Sequence, residues 1–127
     1  MLFFDLFRHE PVFQHVPSGE ALFREGEAGK FMYVLIVGSA DILVGNQPVE
    51  RLVPGGIVGE MAMLDELPRS ASVIADADCT FAVIDRARFN FLVTETPKFA
   101  LEVMRMMALR LRSCDLALIA KTDAVAS

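Results

Sequence analysis

The chain has 127 residues, 54% of them hydrophobic and 23% charged, with a formal net charge of −5. That length suits one domain with one core, needing neither metal nor disulfide, and the apolar content excludes a disordered chain. The negative balance excludes a broad nucleic-acid surface, which needs a basic stripe; the clustered positives Arg105, Arg110 and Arg112 fall on one late helix and read as a solvated face.

No segment is apolar for long enough to cross a membrane. The longest uncharged apolar stretch, Phe31 to Ala40, is half of the roughly 20 residues that a spanning helix requires. The N-terminus begins apolar and meets Asp5, Arg8, His9 and Glu10 at once. A secretory signal has the reverse order, so a cytoplasmic location is expected. Cys79 and Cys114 are the only cysteines, and they read as buried free thiols rather than a disulfide framework.

In chain order, Leu2, Phe3, Leu6 and Phe7 form one stripe, which predicts a short helix over residues 2–10, stopped by Pro11. From Val12 to Asp85 short apolar runs alternate with turn residues every eight to twelve positions. The runs are Ala21 to Phe23, Phe31 to Val37, Asp41 to Val44, Gln47 to Val53, Ser70 to Ala75 and Thr80 to Ile84. This cadence predicts an antiparallel barrel, sandwich or jelly roll. Gly59 to Leu64 interrupts it with good helix formers, and a short helical turn is expected there. Asp85 is placed to cap a helix over Arg86 to Val93. Thr96-Pro97 then opens a last helix to about Ala120, with the small polar tail, Thr122 to Ser127, expected to fray. Leu101, Met104, Ala108 and Leu111, together with Val103 and Met107, cover more than one face of that helix. It therefore wants partners on two sides: the barrel, and a ligand, another domain or a second copy. Met104, Met106 and Met107 form either core or such a partner surface.

The chemistry concentrates at residues 55–73. Gly59 permits close backbone approach to a ligand. The turn after it offers unpaired N–H groups, an anion site. Nine residues after Glu60, Pro68-Arg69 enters the next strand, and arginine is suited to bidentate capture of a phosphate. Ser70 adds a hydroxyl donor. Glu60 would repel the same anion, so it fits a sugar hydroxyl, for which an ionised carboxylate is an acceptor. A phosphate and a ribose held side by side describe a nucleotide. The same residues also read as a tight turn with an exposed Glu–Arg pair.

The run V-G-E-M-A-M-L-D-E-L-P-R-S-A-S-V over residues 58–73 resembles the phosphate-binding cassette of cyclic-nucleotide-binding domains, roughly F-G-E-(L/I/M)-A-L, a short loop, then P-R-(S/A/T)-A-(T/S)-V. Gly19-Glu20, Gly26-Glu-Ala-Gly29 and Tyr33 to Gly38 resemble the early strands and turns of that family, which includes catabolite activator protein, the regulatory subunit of protein kinase A and cyclic-nucleotide-gated channels. The likeness runs from about Val12 to about Arg112. It implies a mainly β fold within one domain over 1–127. An antiparallel, jelly-roll-like β-roll (a double-stranded β-helix) would span about 12–85, with a short N-terminal helix, a cassette helix, and C-terminal hinge and lid helices over about 86–120.

The resemblance also implies roles. The amides of Gly59, Met61 and Ala62 would lie near the cyclic phosphate and ribose, and Glu60 would bind the ribose 2′-hydroxyl. Arg69 would pair with a phosphate oxygen, with Ser70 and the Ala71 amide completing the cage. The base would rest on Val58 and Val73 under a lid in which Arg110, Leu111 and Arg112 are candidates. Val58 replaces a frequent Phe, and Asp65 and Glu66 add negative charge to the cassette loop. The ligand is expected to be cAMP rather than cGMP, with no cofactor and no metal. Capture would tilt the hinge helix, Arg86 to Val93, and swing the last helix.

Other readings are weaker. A cupin-type metal enzyme needs several histidines and a carboxylate, and only His9 and His15 are present. A hydrolase needs a base beside its nucleophile, and Ser39 and Ser70 have none. A ligand-independent scaffold for dimerisation or protein interaction is the alternative that the cassette Glu60 and Arg69 argue against. Ser127 leaves too little room for a helix-turn-helix. The chain is expected to be a stand-alone sensor or the sensor portion of something longer.

Overall fold

The computed structural model describes residues 10 and 12–126, with side chains as far as residue 112. The helix expected over 2–10 therefore lies outside the described residues, apart from Glu10. By internal contacts the chain divides into two compact units, Met1–Phe91 and Leu92–Ser127.

The first unit carries eight strands: β1 (Phe13–Val16), β2 (Ala21–Phe23), β3 (Met32–Val37), β4 (Ala40–Val44), β5 (Gln47–Leu52), β6 (Ile57–Val58), β7 (Ser72–Ala75) and β8 (Cys79–Ile84). They form two four-stranded sheets, ordered β1-β8-β3-β6 and β2-β7-β4-β5, and every pairing is antiparallel. The expected β-roll is therefore the observed architecture. Two strands were not separable in the apolar cadence. Phe13–Val16 exposes three of its four residues, so it has no apolar run, and Ile57–Val58 is only two residues long. Strand β7 begins at Ser72, two residues later than expected, where its pairing with β4 begins.

The strand positions follow from the side chains. Met32 to Ile36 are all buried, as suits a strand flanked on both sides by β8 and β6. Leu35, Ile42, Leu52, Val73 and Phe81 meet in one core cluster. Such closely packed interiors resist volume changes. Pro48, which has no N–H, sits in β5, an edge strand, where a missing donor costs no ladder bond. Gly45 and Asn46 both have positive φ, 56° and 68°, and this lets β4 turn straight into β5.

The cassette segment folds as a short 3-10 helix, Glu60–Met63. Helix α1 (Arg86–Glu95) begins as its cap predicts: Asp85 Oδ1 accepts the Arg88 N–H at 2.7 Å. Helix α2 (Pro97–Ala126) extends past the expected end near Ala120 and includes the tail residues 122–126, which were expected to fray. Residues 113–126 contain no proline or glycine to stop a helix. In α2, Leu101, Met104 and Leu111 are 57%, 57% and 64% exposed, while Phe99 and Val103 are buried. No described helix is long and apolar enough to cross a membrane. Cys79 is buried and free, with its thiol donating to the carbonyls of Ser39 and Ala77 at 3.1 and 3.2 Å.

Candidate functional site

The two ends of the cassette meet through Arg69. Gly59 takes the left-handed conformation, φ 77°, and its carbonyl accepts the Ala62 N–H at 3.1 Å. The Arg69 side chain reaches back across ten residues and donates from Nη1 to the same Gly59 carbonyl at 3.5 Å. Nη2 donates to the Phe31 carbonyl at 2.9 Å. The Arg69 backbone is fixed independently: its N–H donates to Glu27 O and its carbonyl accepts from Gly26 N, both at 2.8 Å. A rigid backbone pair thus carries a side chain whose direction is set by two carbonyls.

Arg69 is 8% exposed, a rare state for a cation. The Phe23 ring lies under its guanidinium carbon at 4.2 Å from the centroid, and the Tyr33 ring lies at 5.9 Å. Its Nε is buried with no hydrogen-bond partner. Burial lowers the Arg69 pKa below the ordinary guanidinium value, opposed by Tyr33 and by the carboxylates of Glu60 and Glu27. Burial likewise raises the Tyr33 pKa, and Arg69 opposes it. A cavity of about 370 Å³ adjoins the guanidinium, lined by Leu22, Phe23, Glu27, Ala28, Gly29, Lys30, Phe31, Tyr33 and Arg69. Gly29 is needed there because a Cβ on it would fall 2.1 Å from Arg69 Nε.

The other candidates are placed as follows. Glu60 is buried, and its charge acts on Arg69. Met61 is 44% exposed and Ala62 is buried. Ser70 is exposed, and Ala71 is partly buried against the core. Val58 and Val73 lie inside the core cluster at 3% and 1% exposure. The acids of the loop do not crowd the arginine: Asp65 accepts the Leu67 N–H at 3.2 Å, and Glu66 is exposed. Arg110 is half-buried, while Leu111 and Arg112 are exposed in the second unit. The cassette also touches α1, because Arg86 Nη2 donates to the Ala62 carbonyl at 3.2 Å. Among the described residues, no group of three or more His, Cys, Asp and Glu could hold a metal.

Sequence reasoning missed Phe23, Phe31 and the Gly29–Arg69 approach. Phe23 read only as a strand residue and Phe31 acts through its backbone, so neither carried a chemical signature. Gly29 and Tyr33 stood in the stretches that resemble the family, but their contact with Arg69 spans about forty residues of sequence and is made only by folding.

The chain is similar to known proteins in sequence and in fold. A cyclic nucleotide-gated potassium channel of Mesorhizobium japonicum is 38% identical over 97 residues, 76% of this chain and 26% of the channel. The cyclic AMP receptor protein of Thermus thermophilus is 33% identical over 107 residues, 80% of this chain and 50% of that protein. The chain thus spans half or less of the length of these relatives. The crystal structure of the Thermus thermophilus catabolite activator protein superposes with a TM-score of 0.76 at 29% identity, covering 95% of this chain and 57% of that one. The family model for the cyclic nucleotide-binding domain matches residues 13–96. Those residues take in both sheets, Glu60, Arg69 and the whole of α1, and the chain belongs to the cyclic nucleotide-binding domain family.

Proposed function

We propose that this chain is a cAMP sensor, a single regulatory domain without catalytic activity that works in the cytoplasm. Arg69 and Ser70, with the Ala71 amide, hold the cyclic phosphate. Glu60 accepts the ribose 2′-hydroxyl, and the turn at Gly59, Met61 and Ala62 closes round both. Val58 and Val73 support the base, and Arg110, Leu111 and Arg112 are its lid. The observation that carries the reading is the buried Arg69 guanidinium, which retains a donor without a partner. A buried donor without an acceptor costs about 1–3 kcal/mol, and an anion would remove that cost. The Thermus relative is named a cyclic AMP receptor, which supports cAMP over cGMP.

Signalling follows from the Arg86–Ala62 hydrogen bond. A ligand that shifts the cassette helix pulls on the first residue of α1, and α1 leads into α2. The shift is limited by the ligand's differential affinity for the two states. Calorimetric titration with cAMP and with cGMP tests the reading. Binding at micromolar affinity or tighter, on the order of −8 kcal/mol, is expected for cAMP. Arg69→Ala should weaken it by about two decades. Absence of binding to either nucleotide, or an Arg69→Ala variant as tight as the parent, would sink it; the first result would favour an interaction scaffold.

A further inference from the structure

We infer that Phe23 and Tyr33 form an aromatic seat that pre-positions Arg69 for a phosphate, so that Phe23 is a positioning residue acting through the arginine. The inference rests on the proposed nucleotide site and deepens it.

Three constraints act on one planar group. The Phe31 and Gly59 carbonyls take Nη2 and Nη1, which fixes one edge of the guanidinium. The Phe23 ring takes its face at 4.2 Å, within the roughly 6 Å range of cation–π attraction. The rings of Phe23 and Tyr33 lie 6.0 Å apart, tilted by 35°. Tyr33 in turn sits edge-on to the fully buried Phe81 at 6.2 Å and 77°. The seat is therefore anchored to the core.

Free arginine has many rotamers, and fixing them on binding costs affinity. A guanidinium already held on a ring has lost that freedom before the ligand arrives. Aromatic and carbonyl partners are also neutral. They orient the cation without adding to the negative charge that Glu60 and Glu27 already set against it. The ring is consequently a determinant of phosphate affinity.

The test uses the full chain with nitrogen-15 labelling, first without ligand. The Arg69 Nε–H resonance, assigned by its loss in Arg69→Lys, should be shifted upfield by the ring current. Phe23→Leu should return it to the ordinary position, while Phe23→Trp should keep it shifted. The cAMP dissociation constant should rise about 2- to 30-fold in Phe23→Leu, the range expected from loss of one cation–π contact, and recover in Phe23→Trp. Phe23→Leu binding as tightly as the parent overturns the inference. So does a Phe23→Leu resonance still shifted upfield. If the parent shows the shifted resonance yet binds neither cAMP nor cGMP, the nucleotide reading fails while the seat stands. If the parent resonance is unshifted, the seat itself fails.

Discussion

Replacing Gly29 with alanine separates the site from the fold. A Cβ there would lie 2.1 Å from Arg69 Nε, 2.2 Å from Cζ and 2.3 Å from Nη2. Those distances are far inside van der Waals contact, so something must move. The atoms that meet the methyl all belong to the end of one flexible side chain. The cheap response is for the guanidinium to leave its seat. It would then lose the contact with Phe23, about 0.5–2 kcal/mol, and a carbonyl hydrogen bond, about 0.5–1.5 kcal/mol. Together, about 1–3.5 kcal/mol of positioning is removed, which converts to a rise of about 5- to 400-fold in the cAMP dissociation constant. Stability should fall only modestly, since the displaced arginine and the carbonyl it leaves regain water, and the apolar surface uncovered is the one face of Phe23. Calorimetry and a thermal melt on the same sample check both halves. A Gly29→Ala protein that binds cAMP like the parent refutes the placement of Arg69. One that unfolds many degrees early refutes the claim that the arginine is what yields.

Two further predictions concern the scaffold. Glu10 is nearly fully buried and is held by Arg88 through contacts of 2.8 to 3.2 Å. Arg88→Ala leaves that carboxylate inside without its partner. Because Arg88 is itself about a third exposed, the cost should be discounted to about 1–3 kcal/mol, read as a lower urea midpoint. Burial raises the Cys79 thiol above its ordinary value of 9.0. A folded-state pKa above the unfolded value gives stability that is present below the unfolded pKa and lost as pH rises through the folded one. The stability difference between the parent and Cys79→Ala should therefore shrink as pH climbs past 9.0, followed by urea unfolding at several alkaline pH values. A constant difference would contradict the burial of that thiol.

How much of this was legible in the sequence depended on the range of the interaction. The β4–β5 turn, the Asp85 cap and the proline start of α2 are local, and each is written within four residues. The six strands set off by turn residues were legible for the same reason. Strand β1 was not, because three of its four residues face outward and it exists only by pairing with β8 across about 65 residues. The cassette could be named from its spacing, since Glu60 and Arg69 sit on one short loop. The seat could not. Phe23, Gly29 and Tyr33 converge on Arg69 only when β2 and β3 are brought beside the segment that carries it. Val58 and Val73 were legible only as apolar residues flanking the motif, and their place in the core cluster is set by the pairing of β3 with β6 and of β4 with β7.

An arginine held this way is poorly satisfied on its own. Its Nε has no acceptor, and the Gly59 carbonyl it touches is already bonded to Ala62, so what loses a partner if the side chain goes is the Phe31 carbonyl and the buried Glu60 carboxylate. Arg69→Met keeps most of the volume, removes the buried charge and removes the unpaired donor. The backbone bonds to Gly26 and Glu27 are untouched by the change. Removing one partner of a buried pair is destabilising, whereas replacing both charges with neutral side chains of similar size is often neutral or stabilising, so the comparison that tests the fold is Arg69→Met combined with Glu60→Gln, since Glu60 is buried and acts on Arg69. The ligand-free double variant should therefore melt close to the parent. With ligand the proteins should separate. At a ligand concentration 100 times the dissociation constant, the parent gains about 2.7 kcal/mol, and Arg69→Met should gain almost nothing. A ligand-free double variant that melts well below the parent would mean that the guanidinium serves the fold. A melt that holds, together with lost ligand stabilisation, assigns the buried charge to the ligand, because nothing else in the fold then needs it.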